Sequence, residues 1–253
     1  MRLGVALPEV VEASQAQRRC VCTATHDCYG RHPGLCRRGN RAALWTVRHD
    51  ALQDALYGVA RAVGRVVHVV GRVRWFSSGA LAAAGRAWDR GLYADLVLPH
   101  YRAPGRHLYV DAAVASPETV AALSGTPSSR DRGGVAAEAR VRKKHSKYKA
   151  AVDAMGGLFR ATVMERYGAC SDDLCGFVKS LCGDGECDVD SDDWSFTART
   201  RVDFHMQRVV FAGVLADAAM VDAALDMDLS SVHSAAVVGG VGAAARRARG
   251  GGG

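Results

Sequence analysis

The chain has 253 residues, 49% of them hydrophobic, and a formal net charge of +7 at neutral pH. That is enough for one sizeable core with small satellites, or for two modest domains. No apolar run reaches bilayer-spanning length, and Pro8 and Glu9 interrupt the first residues before a secretory core can form. The expectation is an intracellular protein with no membrane partner, in which the eight cysteines act as thiols or metal ligands before disulfides. The arginine-rich excess of positive charge fits a polyanionic partner.

Residues 1–19 carry little pattern. Residues 20–47 are rich in Cys, His, Arg and Gly and too polar to build their own core. Within them Cys20, Cys22, His32 and Cys36 form C-V-C followed by H-P-G-L-C. Thiolate and imidazole donors in so short a span suit tetrahedral Zn²⁺, which closes a loop that could not fold alone. His26 and Cys28 are competing ligands. Asp50 reads as the N-cap of a helix with Leu52, Ala55, Leu56, Val59 and Val63 on one face.

A strand is expected over Val66–Val73, then an irregular or partly helical connection from Trp75 to Gly91. Trp75 and Phe76 are expected to fill core. Tyr93–Ser116, YADLVLPHYRAPGRHLYVDAAVAS, contains two apolar strands joined by a Pro/Gly/Arg loop. In the first strand Leu96 and Leu98 face one way, Asp95 and Val97 the other. In the second, Val110, Ala112 and Val114 alternate with Asp111 and Ala113. If the strands are neighbours, Asp95 and Asp111 share a sheet face, where two close carboxylates call for a cation such as Mg²⁺; the alternative is two solvent-facing aspartates on half-buried strands.

Ser116–Gly134 reads as a loop. Val135–Met155 reads as a basic helix stopped by Gly156–Gly157, with Arg142, Lys143, Lys144, Lys147 and Lys149 as a candidate phosphate-binding face. A strand at Phe159–Glu165 and a helix opened by Ser171 follow, with Glu165 expected in a surface salt bridge. Cys170, Cys175, Cys182 and Cys187 form a looser group without a closing histidine. The segment 182–197 is an acidic loop, 198–229 a long amphipathic helix or helix pair, and 230–253 a Gly/Ala/Arg tail expected to be disordered. This order describes a mixed α/β core over residues 48–181.

The zinc-like C-x-C…H-x-x-x-C, R-H-D at Arg48–Asp50, A-D-L-V-L, V-D-A-A-V-A-S and K-H-S-K-Y at Lys144–Tyr148 occur in a distinctive order. That order resembles the carboxy-terminal region of non-LTR retrotransposon polyproteins. There a zinc knuckle precedes a restriction-endonuclease-like domain of the PD-(D/E)XK superfamily, in the same polyprotein as a reverse transcriptase. The resemblance implies a mixed sheet flanked by helices, Mg²⁺- or Mn²⁺-dependent nicking of DNA (with RNA as a second polyanionic partner) and a nuclear location.

It also implies that Asp95 and Asp111 hold the catalytic metal and that Lys144, Lys147 and Tyr148 complete the centre. Arg48, His49, Arg142, Lys143 and Lys149 are its candidate nucleic-acid contacts. Tyr93-Ala94 stands where the family has a residue and proline before the first aspartate, and Ala113 where the superfamily keeps its lysine. The helix lysines are therefore expected to supply the missing ammonium. The alternative is a catalytically inactive, zinc-containing nucleic-acid-binding remnant of the same fold. A plain α/β domain with neither zinc nor DNA affinity is the third reading.

Overall fold

A computed structural model describes residues 8–20, 22–27, 31–36, 38, 42–69, 76–85, 92–117, 133–183, 198–228 and the backbone of 229–249. The chain divides into two compact units. The first, Val47–Ala216, is mixed α/β. The second joins the amino-terminal segment up to Thr46 with the chain from Asp217 onward.

In chain order the elements are α1 (Pro8–Gln15), α2 (Arg31–Leu35), α3 (Ala42–Ala62), β1 (His68–Val69), α4 (Ser78–Ala83), β2 (Leu96–Leu98) and β3 (Leu108–Ala115). They continue with α5 (Val135–Ala154), β4 (Leu158–Glu165), α6 (Asp172–Cys182) and α7 (Arg201–Arg249). The four strands form one sheet in the order β1-β2-β3-β4. β1, β2 and β3 pair antiparallel, whereas β3 and β4 run parallel. A parallel pair needs a crossover, and α5 is that crossover.

Alternation along the strands separates two apolar layers. Leu96, Leu98, Leu108, Val110 and Ala112 turn to one face, where Leu52, Leu56 and Val59 of α3 and Leu174, Phe177 and Val178 of α6 cover them. Val97 and Tyr109 turn to the other, under Ala80 and Leu81 of α4 and Tyr148, Ala151 and Val152 of α5. Phe76 belongs to this second layer, its ring stacked on Tyr109 at 5.0 Å, so it fills core as expected. Trp75 lies outside the described residues.

Several boundaries differ from the sequence reading. α3 begins at Ala42, so Asp50 is mid-helix and does not cap it. Ala42, Ala43 and Leu44 are strong helix formers, and they nucleate the helix two turns ahead of the aspartate. β1 is confined to two residues among those described. α7 is one continuous helix reaching Arg249, across glycines whose composition predicts disorder, and the alanines and arginines between them favour helix. Most of the loop after β3 and most of the acidic segment lie outside the described residues.

Ser171 does open α6, its hydroxyl accepting from Leu174 N. The start of α5 is capped differently. Gly134 stands there at φ 92° with no side chain to offer, and Glu165, at the end of β4, supplies the acceptor. Its carboxylate takes the N–H of Ala136 at 2.8 Å and of Ala137 at 3.3 Å. Glu165 is thus buried, not the surface salt-bridge partner read from sequence, because a carboxylate at a helix start satisfies orphan donors and favours the macrodipole. Glu165→Ala is expected to cost about 2 to 3 kcal/mol, the scale of a charge-assisted hydrogen bond. Urea unfolding measures it, and Glu165→Gln should recover part of the loss.

Candidate functional site

The register of β2 against β3, Leu96 opposite Val110, brings Asp95 beside Asp111. The strand pairing continues one bond further, from Asp95 N to Val110 O at 2.8 Å. Asp95 Oδ2 also accepts from Ala112 N at 2.6 Å, and the two carboxyl groups are near enough to affect each other's ionisation. Sequence alternation had placed both acids on one face, and the register brings them together.

Two further elements close around the pair. From α5, Lys144 Nζ lies 2.6 Å from Asp111 Oδ1 and donates to Ala112 O at 3.2 Å. This puts an ammonium beside the second acid, while Ala113 is packed in a small apolar cluster with Ala137 and Val141. From α3, His49 Nε2 lies 3.2 Å from Asp95 Oδ2 and its Nδ1 3.2 Å from Asp50. Tyr148, 2% exposed, donates from its hydroxyl to Tyr93 O at 2.5 Å and stacks on Phe159. Lys147 reaches back to that hydroxyl at 3.4 Å.

The electrostatics follow from this arrangement. Burial raises the Asp111 carboxyl above the usual range; Lys144 opposes that and Asp95 adds to it. Burial pushes Asp95 the same way, but His49 and the Ala112 N–H outweigh it and hold Asp95 below the ordinary value. The Tyr148 hydroxyl is pushed up by burial and by the Asp111 charge. His49 is raised to about 9, chiefly by its hydrogen bond to Asp95.

Because the folded pKa of His49 exceeds its unfolded value of 6.5, the pair stabilises fully below that value and loses its contribution as pH climbs through about 9. Melting temperatures of the wild type and His49→Gln, without added magnesium or manganese, should therefore differ at pH 6 and converge by pH 10. A difference constant with pH would contradict this.

The remaining sequence candidates separate. Arg48 is 2% exposed, which takes its guanidinium out of reach of a phosphate backbone. Lys149 pairs with Asp153 at 2.9 Å. Arg142 and Lys143 are exposed on α5. A contact the sequence did not announce lies on the other flank of α5. Asp173, in the first turn of α6, bonds His145 at 2.5 Å, Arg160 at 3.0 Å and Ala161 N at 3.1 Å. Burial would raise Asp173, but these partners hold it below the usual carboxylate range. The cluster ties α5 and α6 to β4. The only advance signal was an aspartate at a helix start, which names no partner.

In the second unit, Cys20, Cys22, His32 and Cys36 place their ligand atoms within 4.8 Å of one another. Cys20 and Cys36 sulfurs are 3.4 Å apart, and Cys22 sulfur lies 3.2 Å from His32 Nε2. Tetrahedral Zn–S bonds of about 2.3 Å set sulfurs about 3.8 Å apart, so this Cys₃His set can hold a zinc ion with small adjustments. The tight turn from Cys20, closed by Cys20 N to Ala24 O and Thr23 N to Cys20 O, presents the first two sulfurs. Asp27 caps α2 by accepting from His32 N at 2.8 Å and so fixes the imidazole's helix.

Burial raises the Cys22 thiol, but the Ala24 N–H and the thiols of Cys20 and Cys36 outweigh it and lower its pKa, which favours metallation. His26 is not in the set; its ring is buried and paired with Asp228 at 2.9 Å. Cys28 lies outside the described residues, as does Cys187. No protein-family model matches the chain, and no curated protein matches its sequence.

Proposed function

We propose that the chain is a metal-dependent endonuclease that nicks DNA, with the restriction-endonuclease-like fold and zinc knuckle of the retrotransposon region it resembles. One observation carries the reading: Asp95 and Asp111 meet across adjacent strands with the Lys144 ammonium 2.6 Å from Asp111. Paired carboxylates from adjacent strands with a lysine beside them are what phosphodiester hydrolysis needs from a protein. The net charge of +7 supports a polyanionic substrate.

The donor set suits a hard divalent cation. Two oxygen ligands face each other, and burial raises one of them, Asp111, above the ordinary carboxyl range, a shift that positive charge beside it opposes. Mg²⁺ or Mn²⁺ held by Asp95 and Asp111 supplies neutralisation of the phosphate charge and a more acidic water. The chain's own groups do the rest. His49 keeps Asp95 ionised and turned towards Asp111. Lys144, anchored on Ala112 O, keeps an ammonium where negative charge develops on the scissile phosphate. Tyr148 locks the Tyr93 carbonyl and so the approach of β2, which makes it a positioning residue.

The test is nicking of supercoiled plasmid by purified zinc-loaded protein. Conversion to open circles with Mg²⁺ or Mn²⁺, and none without, is the expected result. Absence of nicking in either ion by folded protein would overturn the catalytic reading. Salt-sensitive binding retained in that case would leave the zinc-containing nucleic-acid-binding remnant in its place.

A further inference from the structure

The two flanks of α5 differ in a way that the run of basic residues in the sequence conceals. Successive residues turn by about 100° around a helix, and two contacts fix the rotation of α5. Lys144 points at Asp111 on β3, and His145, one step round, reaches Asp173. Asp173 accepts from Ala161 N on the side of β4 away from β3, so the His145 flank overhangs the β4 edge. One step the opposite way from Lys144 therefore faces the β2 side of the sheet, where Asp95 and His49 stand. Lys143 lies on that flank, and Arg140 and Lys147 fall between it and Lys144. Of β3, β2 covers only Leu108–Val110, so among the described residues this side of β3 is open beyond Asp111.

Charge is divided along the same line. The only acids of α5, Glu138 and Asp153, both turn away from β2. Glu138 accepts from Asp172 N, and Asp153 is paired with Lys149. Of the cations on that far side, Lys149 is matched by Asp153 and both His145 and Arg160 by Asp173; Arg142 is exposed but points away from the pocket, on the side that carries both acids. On the near side Arg140 and Lys143 are exposed, and among the described residues neither is in an ion pair.

We propose that a nucleic-acid strand enters along the Arg140–Lys143–Lys147 flank of α5, its phosphates held there as it crosses to the Asp95–Asp111 pocket, while Arg142 and Lys149 take no part. This rests on the reading of the pocket as one that acts on nucleic acid. The spacing is suitable, since Arg140, Lys143 and Lys147 repeat at three and four residues and form a continuous basic row. Arginine and lysine are among the side chains that phosphate contacts use.

Two double variants remove equal charge from the two sides: Arg140→Gln with Lys143→Gln, and Arg142→Gln with Lys149→Gln. Binding of a short DNA duplex is measured without magnesium or manganese over a range of salt, with melting temperatures as the check on folding. The near-side pair should lose at least about ten-fold in affinity and lower the salt slope by roughly two, since each duplex phosphate contact contributes about 0.9. The far-side pair should stay within about two-fold of the wild type. Equal losses from both pairs, a greater loss from the far side, or no binding by the wild type would overturn the proposal. Lys143→Glu alone, expected to weaken binding more than Arg142→Glu, repeats the comparison should a double variant unfold. Plasmid nicking is scored separately: a side-specific binding loss without nicking keeps the track and rejects the nuclease, and nicking with equal losses does the reverse.

Discussion

Asp111→Asn is expected to abolish plasmid nicking while leaving DNA binding and the fold in place. Asparagine keeps the shape of the side chain and can still meet Lys144, so the layer around Val110 and Ala112 is undisturbed. What disappears is the negative charge that the metal needs. Removing one pre-aimed electrostatic contact from an active centre costs about a hundred- to a thousand-fold in rate, and the loss of a metal ligand should be no smaller. Lys144→Met should give a loss of similar size for the opposite reason, because it leaves Asp111 buried without its cation at 2.6 Å, where the carboxyl would hold its proton. The two variants therefore separate in their metal dependence. Raising Mn²⁺ should recover part of the activity of Lys144→Met, whose two carboxylates are intact, and none for Asp111→Asn. Nicking by Asp111→Asn within a few-fold of the wild type would remove the pair from the mechanism.

The parts of this centre that were legible in the sequence were those set by local period. Alternation in LVL and in VDAAVA fixed which residues share a face, and a one-residue slip would have turned Leu96, Val110 and Ala112 away from α3 and α6 and into the opposite layer. That Asp95 and Asp111 share a face follows from the alternation; their meeting needed the strands to be neighbours in the register Leu96 opposite Val110. The basic helix and its stop were legible for the same kind of reason. Contacts made only when distant elements meet were not. Glu165 as the cap of α5, Asp173 as the tie between α5, α6 and β4, and His49 as the partner of Asp95 each join residues 12 to 46 positions apart, with no periodic signature. Arg48 shows the opposite failure: beside His49 in a motif it reads as a phosphate ligand, yet the turn of α3 that sends His49 to Asp95 buries its neighbour. The same geometry divides a helix that the sequence presents as uniformly basic into a flank that carries both of its acids, Glu138 and Asp153, and one that carries none.

Removing zinc is expected to disorder the second unit and spare the first. Among the described residues the apolar cluster of that unit consists of Val10 and Ala13 from α1 with Val221 and Leu225 from α7. Four side chains, one of them alanine, cannot offset the ordering of so many residues. The cysteine segment adds one short helix and an isolated Arg19–Thr25 bridge, neither stable alone in water. A structural zinc site contributes about 10 to 16 kcal/mol of binding free energy, more than the four-residue cluster can, so the fold of these residues and their metal should be lost together. His26 connects the site to the rest: it follows the Cys20–Thr25 turn and packs its ring against His32 at 5.9 Å and its Nε2 on Asp228. Loss of the turn therefore releases α7 at Asp228 as well as α2. Hydrogen exchange should report this directly. Chelation, or Cys36→Ser, should remove protection from residues 8–36 and 217–228 while β3, β4 and the buried half of α5 keep theirs. Protection in 217–228 that survives loss of the metal would mean that Val221 and Leu225 hold the helix without the cysteine turn, and the zinc would then be a local clip with no part in seating α7.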